Sequence, residues 1–211
     1  MICKPSQESG SGRGIEFIKT SNTDKIEEIL SDPVYDDYIV QALIKQHTGL
    51  SIIHPSSINS IRICSLLMDD GVHILSAVLR MGVGSSRVGN ATSGDNAEYG
   101  GCTVGINEDG TLKEHSYTYY TGRKADRHPD GFIFKNYRIL AFDKAIDLVR
   151  QAHPRIGHFR LVSWDIVIDN NGDAVLIEAN MRRGRINFHQ FNNGPLFENE
   201  MFASTLGGVS H

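Results

Sequence analysis

Two carboxylates and an amide sit inside apolar runs in WDIVIDNNGDAVLIEAN, Trp164 to Asn180. Asn-Asn-Gly between β-branched and aliphatic residues reads as a hairpin turn. With Asn171-Gly172 as the two-residue turn, Asn170 faces Asp173, and the ladder brings Asp165 directly across from Glu178. Asn180 follows two residues later on the same face. Opposed Cβ atoms lie roughly 4.5–5.5 Å apart, where two carboxylates repel, so something positive belongs between them. Asp165, Glu178 and Asn180 offer only oxygen ligands, a set suited to Mg²⁺ or Mn²⁺ and not to zinc. A hairpin with one solvated face is the plainer reading, but Trp164, Ile166, Ile168, Val175 and Ile177 predict that both faces are largely covered. A calcium loop is excluded, because Val167 would occupy its first ligand position and strands flank it.

Other stretches carry charge suited to anions. Lys4 stands at a strand end before SQESGSGRG, with Gly10, Gly12 and Gly14. Glycines let backbone N–H groups approach phosphates and a lysine neutralises them, although a flexible Gly/Ser turn has the same composition. Arg62 and Arg80 lie among Ile, Leu and Val, so each should meet a carboxylate or an anionic ligand. Arg182, Arg183 and Arg185 follow the hairpin, as an anion-binding cluster or a solvated basic loop. His54 and His128 each precede a proline and read as loop-shaping residues.

The elements that must position these groups are mixed. ICKPSQESGSGRGIEFIK reads as strand, loop, strand, and SNTDKIEEIL as a capped helix with Ile26, Ile29 and Leu30 on its apolar face. DYIVQALI predicts a short buried strand. INSIRICSLLMDDGVHILSAVLRM predicts a long hairpin turning at Asp70-Gly71, and TVGINEDGTLKEHSYT a second with Asp109-Gly110 at its turn. Ile139, Phe142, Ile146 and Val149 recur at helical spacing, predicting a helix from about Asn136 to Ala152. Beyond Asn180 the chain reads as a polar, Arg- and Asn-rich tail. Antiparallel hairpins dominate and helices are few, so the class is α+β.

The 211 residues suffice for one large or two small domains. A net charge of −4 argues against a nucleic-acid partner. Cys3, Cys64 and Cys102 share no metal-ligand spacing, and an odd count argues against a disulfide framework, which points to a reducing, cytoplasmic setting. No apolar run approaches the roughly 20 residues of a membrane span, and the start lacks the pattern of a signal peptide.

The motifs KPSQESGSGRG, YIVQALIKQH, HPSSINSIRI, VLRMG, HPDG and WDIVIDNNGDAVLIEAN, in that order, resemble the sugar-transfer-associated ATP-grasp family. The resemblance covers nearly the whole chain. It implies an ATP-grasp-like α+β fold with the nucleotide site between two subdomains. Residues 1–50 would be the remainder of the first subdomain, with glycine loop and adenine hinge, and 51–211 the second, with the metal-binding hairpin. It implies that Lys4, Gly10, Gly12 and Gly14 close over the nucleotide phosphates, and that Gln41, Ala42 and Leu43 read adenine. Gln46 or His47 would lie near the ribose. Arg80, and with it Arg62, would contact the γ-phosphate or an intermediate, while Asp165, Glu178 and Asn180 would hold Mg²⁺ or Mn²⁺. The implied activity is an ATP-dependent carboxylate–amine ligase acting through an acylphosphate on a small-molecule or sugar-linked carboxylate, in assembly or modification of cell-surface polysaccharide. An ATP-grasp kinase and a non-catalytic nucleotide-binding module are the alternatives. Two departures stand out. ATP-grasp enzymes usually carry further strands and a second phosphate-binding lysine upstream of this point, so by resemblance the chain looks like the C-terminal part, a fragment or a shortened relative. Many ATP-grasp ligases follow the metal-binding Asn with Pro-Gly, where this chain has Arg182-Arg183-Gly184-Arg185.

Overall fold

The computed structural model describes residues 1–6, 14–84, 101–182 and 184–197. The expectations for Gly10, Gly12 and Arg183 therefore lie outside the described residues. The chain divides into two compact units, Met1–Lys45 and Gln46–His211.

In the first unit, β1 (Ile2–Pro5) is the centre of a three-stranded antiparallel sheet between β2 (Glu16–Phe17) and β3 (Tyr38–Gln41). Gly14 has φ +75°, and a Cβ there would meet Pro5 Cγ at 2.9 Å and the Tyr38 hydroxyl at 3.1 Å. The local packing alone therefore requires that glycine. Helix α1 (Thr23–Ser31) starts where the Asn22 side chain accepts the Lys25 N–H. Its apolar positions do not form a core, since Leu30 is 81 % exposed. Lys25 instead ties α1 to its neighbours, reaching Glu28 (2.7 Å), Glu16 (3.1 Å) and the Tyr35 hydroxyl (2.8 Å). The expectation of a buried strand at DYIVQALI is corrected. β3 is an edge strand, and Ile39 and Val40 are exposed, because a three-stranded sheet leaves its outer strand one neighbour.

The second unit is built on a seven-stranded antiparallel sheet. After the short helix α2 (Thr48–Ser51) come β4 (Ser60–Met68), β5 (Gly71–Met81), β6 (Cys102–Ile106), β7 (Leu112–Thr118) and β8 (Lys124–Ala125). Helix α3 (Phe142–Ala152), β9 (Leu161–Ile168), β10 (Ala174–Asn180) and helix α4 (Ile186–Asn193) follow. The order across the sheet is β10-β9-β4-β5-β6-β7-β8. Ile61, Ile63, Leu79 and Ile166 are fully buried on the face where α3 sets Phe142, Ala145 and Val149. Each such side chain contributes about 1.5–3 kcal/mol of burial. A buried relay locks β9 to β4: Trp164 Nε1 donates to Ser65 Oγ at 2.8 Å, and Ser65 Oγ lies 2.8 Å from His153 Nδ1.

Several boundaries differ from the sequence reading. Met68 pairs with Gly71, so the long hairpin turns at Asp69-Asp70, one residue early. α3 begins at Phe142, not near Asn136. Residues 137–139 instead pair with the β6–β7 loop, with Leu112 N–H on Tyr137 O and Ile139 N–H on Gly110 O, and Ala141 is left-handed at φ 55°. The expected tail contains α4. It carries no apolar stripe, because much of its docking is polar: Asn192 donates to Thr103 Oγ1 and Asn193 to Ser76 Oγ. Phe188 stacks on Tyr119 with centroids 4.7 Å apart. The hairpin is also less covered than expected. β9 is buried almost throughout, but β10 is the sheet edge, and Leu176 and Glu178 are exposed.

Candidate active site

The turn that was to set the register of Asp165 and Glu178 is not the two-residue turn of the sequence reading. Asp169 faces Asp173, with Asp169 N–H donating to Asp173 O (2.9 Å) and Gly172 N–H to Asp169 O (2.9 Å). The loop thus has three residues, and Gly172 takes the left-handed position at φ +82°. The NEDGT loop does the same, with Asn107 opposite Thr111 and Gly110 at φ +85°. Such a loop shifts pairing by one residue, and near the turn Ala174 pairs with Ile168 and Leu176 with Ile166. Left alone, that shift would turn Glu178 to the opposite face from Asp165. A bulge between Leu176 and Glu178 absorbs Ile177 and restores Glu178 opposite Asp165 and Asn180 opposite Ser163. The trio shares one face through two offsets that cancel.

The charge beside Asp165 comes from the neighbouring strands. β4 lies next to β9, pairing Arg62 with Asp165, and β5 lies beyond it. Arg62 Nε and Nη2 donate to the two Asp165 oxygens at 2.6 Å each, a bidentate fork. Arg80 Nη1 donates to Oδ2 at 2.5 Å. All three side chains are about 95 % buried. Burial alone would raise the Asp165 carboxyl, but Arg80 and Arg62 outweigh it and hold it below the ordinary aspartate value. Burial works against the Arg80 charge, and Asp165 restores it. The Arg80 guanidinium also lies 6.0 Å from the centre of the Tyr119 ring.

α4 brings His189 to the same face, with Nδ1 2.9 Å from Ser76 Oγ. Burial, aided by the positive charge of Arg62, pushes its imidazole down to about 3. An unfolded histidine titrates near 6.5. Between that value and about 3 the unfolded chain holds a proton that the folded chain does not, so stability falls as pH falls through that window. Asp165 adds a further loss below about pH 4. Urea unfolding is expected to show about 1–2 kcal/mol less stability at pH 5 than at pH 7 from His189 alone. His189→Gln should flatten that slope, and an unchanged slope would place the pH dependence elsewhere.

The other predicted residues are placed as follows. Lys4 pairs with Ile39 in the first unit. Gln41 ends β3, and Ala42 and Leu43 follow it outside any strand, exposed. Gln46 has both ends of its amide committed to the loop before β4, donating to Ser57 O (2.9 Å) and accepting from Asn59 N–H (2.9 Å). His47 caps α2, its Nδ1 accepting the Gly49 N–H at 3.0 Å. Arg182 and Arg185 lie between β10 and α4, both exposed. Arg185 is left-handed at φ 51° and packs its guanidinium 5.6 Å from the Phe188 ring centre. Sequence reading missed Tyr119, which the sheet brings to Arg80 at the end of β7, and His189, which α4 carries to the same face. A cavity of about 1310 Å³ lies elsewhere, lined by Ala77, Ile106, Phe142 and Arg150 among others, and contains none of the trio.

The residues present fit a hard divalent cation. The Glu178 side chain is exposed and, among the described residues, forms no hydrogen bond or ion pair, and the Asn180 amide nitrogen is buried without a partner. Asp165 accepts three guanidinium hydrogen bonds, leaving one of its roughly four acceptor positions. Two arginines and two carboxylates sum to zero charge, so a cation is balanced there once anionic phosphates accompany it. That is how Mg²⁺ is usually held, by one or two carboxylates and substrate phosphates.

The profile of the sugar-transfer associated ATP-grasp family matches residues 1–203. The chain belongs to that family, and with it to the ATP-dependent, ligase-type enzymes of the ATP-grasp class. No curated protein matches the chain. Among the described residues, no helix is long and apolar enough to cross a membrane.

Proposed function

We propose that the chain acts as an ATP- and Mg²⁺-dependent ligase that activates a carboxylate as an acylphosphate for an amine or similar nucleophile, in the making or modification of cell-surface polysaccharide. The observation that carries this reading is Asp165 clamped by two buried arginines with Glu178 directly across the ladder. Asp165, Glu178 and Asn180 would hold Mg²⁺, which when bound neutralises and orients the nucleotide phosphates. Arg62 and Arg80 exceed Asp165 by one positive charge in a buried setting, where a phosphoryl group gains more from it than in water. Lys4 and the loop bearing Gly10, Gly12 and Gly14 would take the phosphates, and Gln41 to Leu43 the adenine. His47 is the better ribose candidate, since the Gln46 amide is engaged on both sides. Arg182, Arg183 and Arg185 would hold an anionic acceptor.

In the first step a carboxylate oxygen bonds to the γ-phosphorus as the bond to ADP breaks. In the second the nucleophile bonds to the carbonyl carbon, phosphate leaves, and the nucleophile's proton passes to solvent. Positioning and electrostatics carry both steps, and no covalent enzyme intermediate is needed. Products should therefore be ADP and free phosphate. Hydroxylamine intercepts acylphosphates, so with ATP, Mg²⁺ and a carboxylate it should yield a hydroxamate. A stable phosphorylated product without free phosphate would establish a kinase instead. Release of AMP and pyrophosphate would reject both.

A further inference from the structure

Away from the Asp165 hairpin, His54 and His128 come together with Asp130, although 76 residues separate His54 from Asp130. Both imidazoles are wholly buried, whereas the Asp130 side chain is 40 % exposed. Their ligating atoms all lie within 4.8 Å of one another. His54 Nδ1 is 2.6 Å from Asp130 Oδ2, and His128 Nδ1 is 3.5 Å from the same oxygen. We propose that His54, His128 and Asp130 form a second metal site, for a zinc-class divalent cation, that is independent of the oxygen-only trio on β9 and β10.

The framework around the three residues is rigid. His128 and Asp130 share one tight turn, with Gly131 N–H on His128 O at 2.7 Å and Gly131 at φ +96°. The backbone carbonyl of His54 is held by Asn59 Nδ2 at 2.8 Å. The outer partners suit ligation through Nδ1 on both rings. His128 Nε2 lies 2.8 Å from Gly82 O, a carbonyl that can only accept, so this nitrogen carries the proton and Nδ1 is a bare acceptor. That Nδ1 accepts the Asp130 N–H at 3.1 Å, a contact a cation would replace. A metal on His54 Nδ1 likewise places the proton on Nε2, which is buried and lacks a partner. Ser57 Oγ is also buried without a partner. Both atoms border the space where Gly82 has no Cβ, 2.6 Å from that point for Ser57 Oγ and 3.2 Å for His54 Nε2. Ser57 Oγ and His54 Nε2 thus border the same gap, with no hydrogen bond between them. Two nitrogens and one carboxylate favour zinc, cobalt or iron(II) over magnesium. The exposed Asp130 provides the entry path and leaves a fourth position for water or another ligand. The proton between His54 Nδ1 and Asp130 must shift to Nε2 when the cation enters.

The test uses the full chain, stripped with chelator and titrated with Co²⁺ and then Zn²⁺, without nucleotide. The expected result is one equivalent of Co²⁺ with visible absorption, displaced by one equivalent of Zn²⁺. Asp130→Asn and His54→Gln should each weaken Zn²⁺ at least tenfold, whereas Glu178→Gln should leave it unchanged. Asp130 is exposed enough that its variant keeps the fold, which circular dichroism checks. Absence of a saturable Co²⁺ signal would overturn the site. So would Zn²⁺ affinity unaltered in folded Asp130→Asn, or affinity lost with Glu178→Gln, which would place the cation on the hairpin.

Discussion

Asp165→Ala is expected to cost about 3–5 kcal/mol of folding stability, the range for removing one partner from a buried ion pair. The variant strips two guanidiniums, each about 95 % buried, of the carboxylate they share. Arg62 loses both arms of its fork, and on a strand flanked on both sides it has no route to solvent. Arg62→Met should cost less, because it removes one of the two positive charges while Asp165 keeps its bond to Arg80. Chemical denaturation of the two variants measures the order directly. If both cost under about 1 kcal/mol, the ion cluster is not part of the stability of this unit.

Glu178→Gln is expected to give the opposite pattern, with a normal fold and defective Mg²⁺-dependent nucleotide binding. The Glu178 side chain is exposed on the edge strand and, among the described residues, forms no hydrogen bond or ion pair, so its loss should change stability by less than about 0.5 kcal/mol. In the proposed site it supplies one of two carboxylates, and the glutamine keeps the shape while removing the charge. Titration calorimetry with ATP in the presence of Mg²⁺ should show affinity reduced at least tenfold. The same titration without Mg²⁺ should differ little from the unaltered chain. Equal binding by both proteins in Mg²⁺ would remove Glu178 from the metal site. Mg²⁺ alone should bind weakly to either, since the cluster is already neutral before the phosphates arrive.

Much of the site can be read along the chain because it depends on local chemistry. The glycine turn and alternating residues announce the β9–β10 hairpin, Asn22 announces the start of α1, and arginines among aliphatic residues announce buried partners. An ordered series of motifs was enough to place the chain in its family. The placement of the trio on one face was also legible, but the reason was not. A one-residue error at the turn and a one-residue bulge at Ile177 offset each other, and neither changes the alternation that sequence displays. What only tertiary structure decided is which group answers which charge. Sheet order sets β4 between β9 and β5, so Asp165 meets an arginine 103 residues away and another 85 residues away. α4 is invisible to periodicity because it docks through hydrogen bonds of Asn192 and Asn193 together with ring stacking of Phe188, and not through an apolar stripe. His54 and Asp130 meet for the same reason: a local pattern carries the geometry of its own turn, while the pairing of distant charges waits for the sheet to assemble.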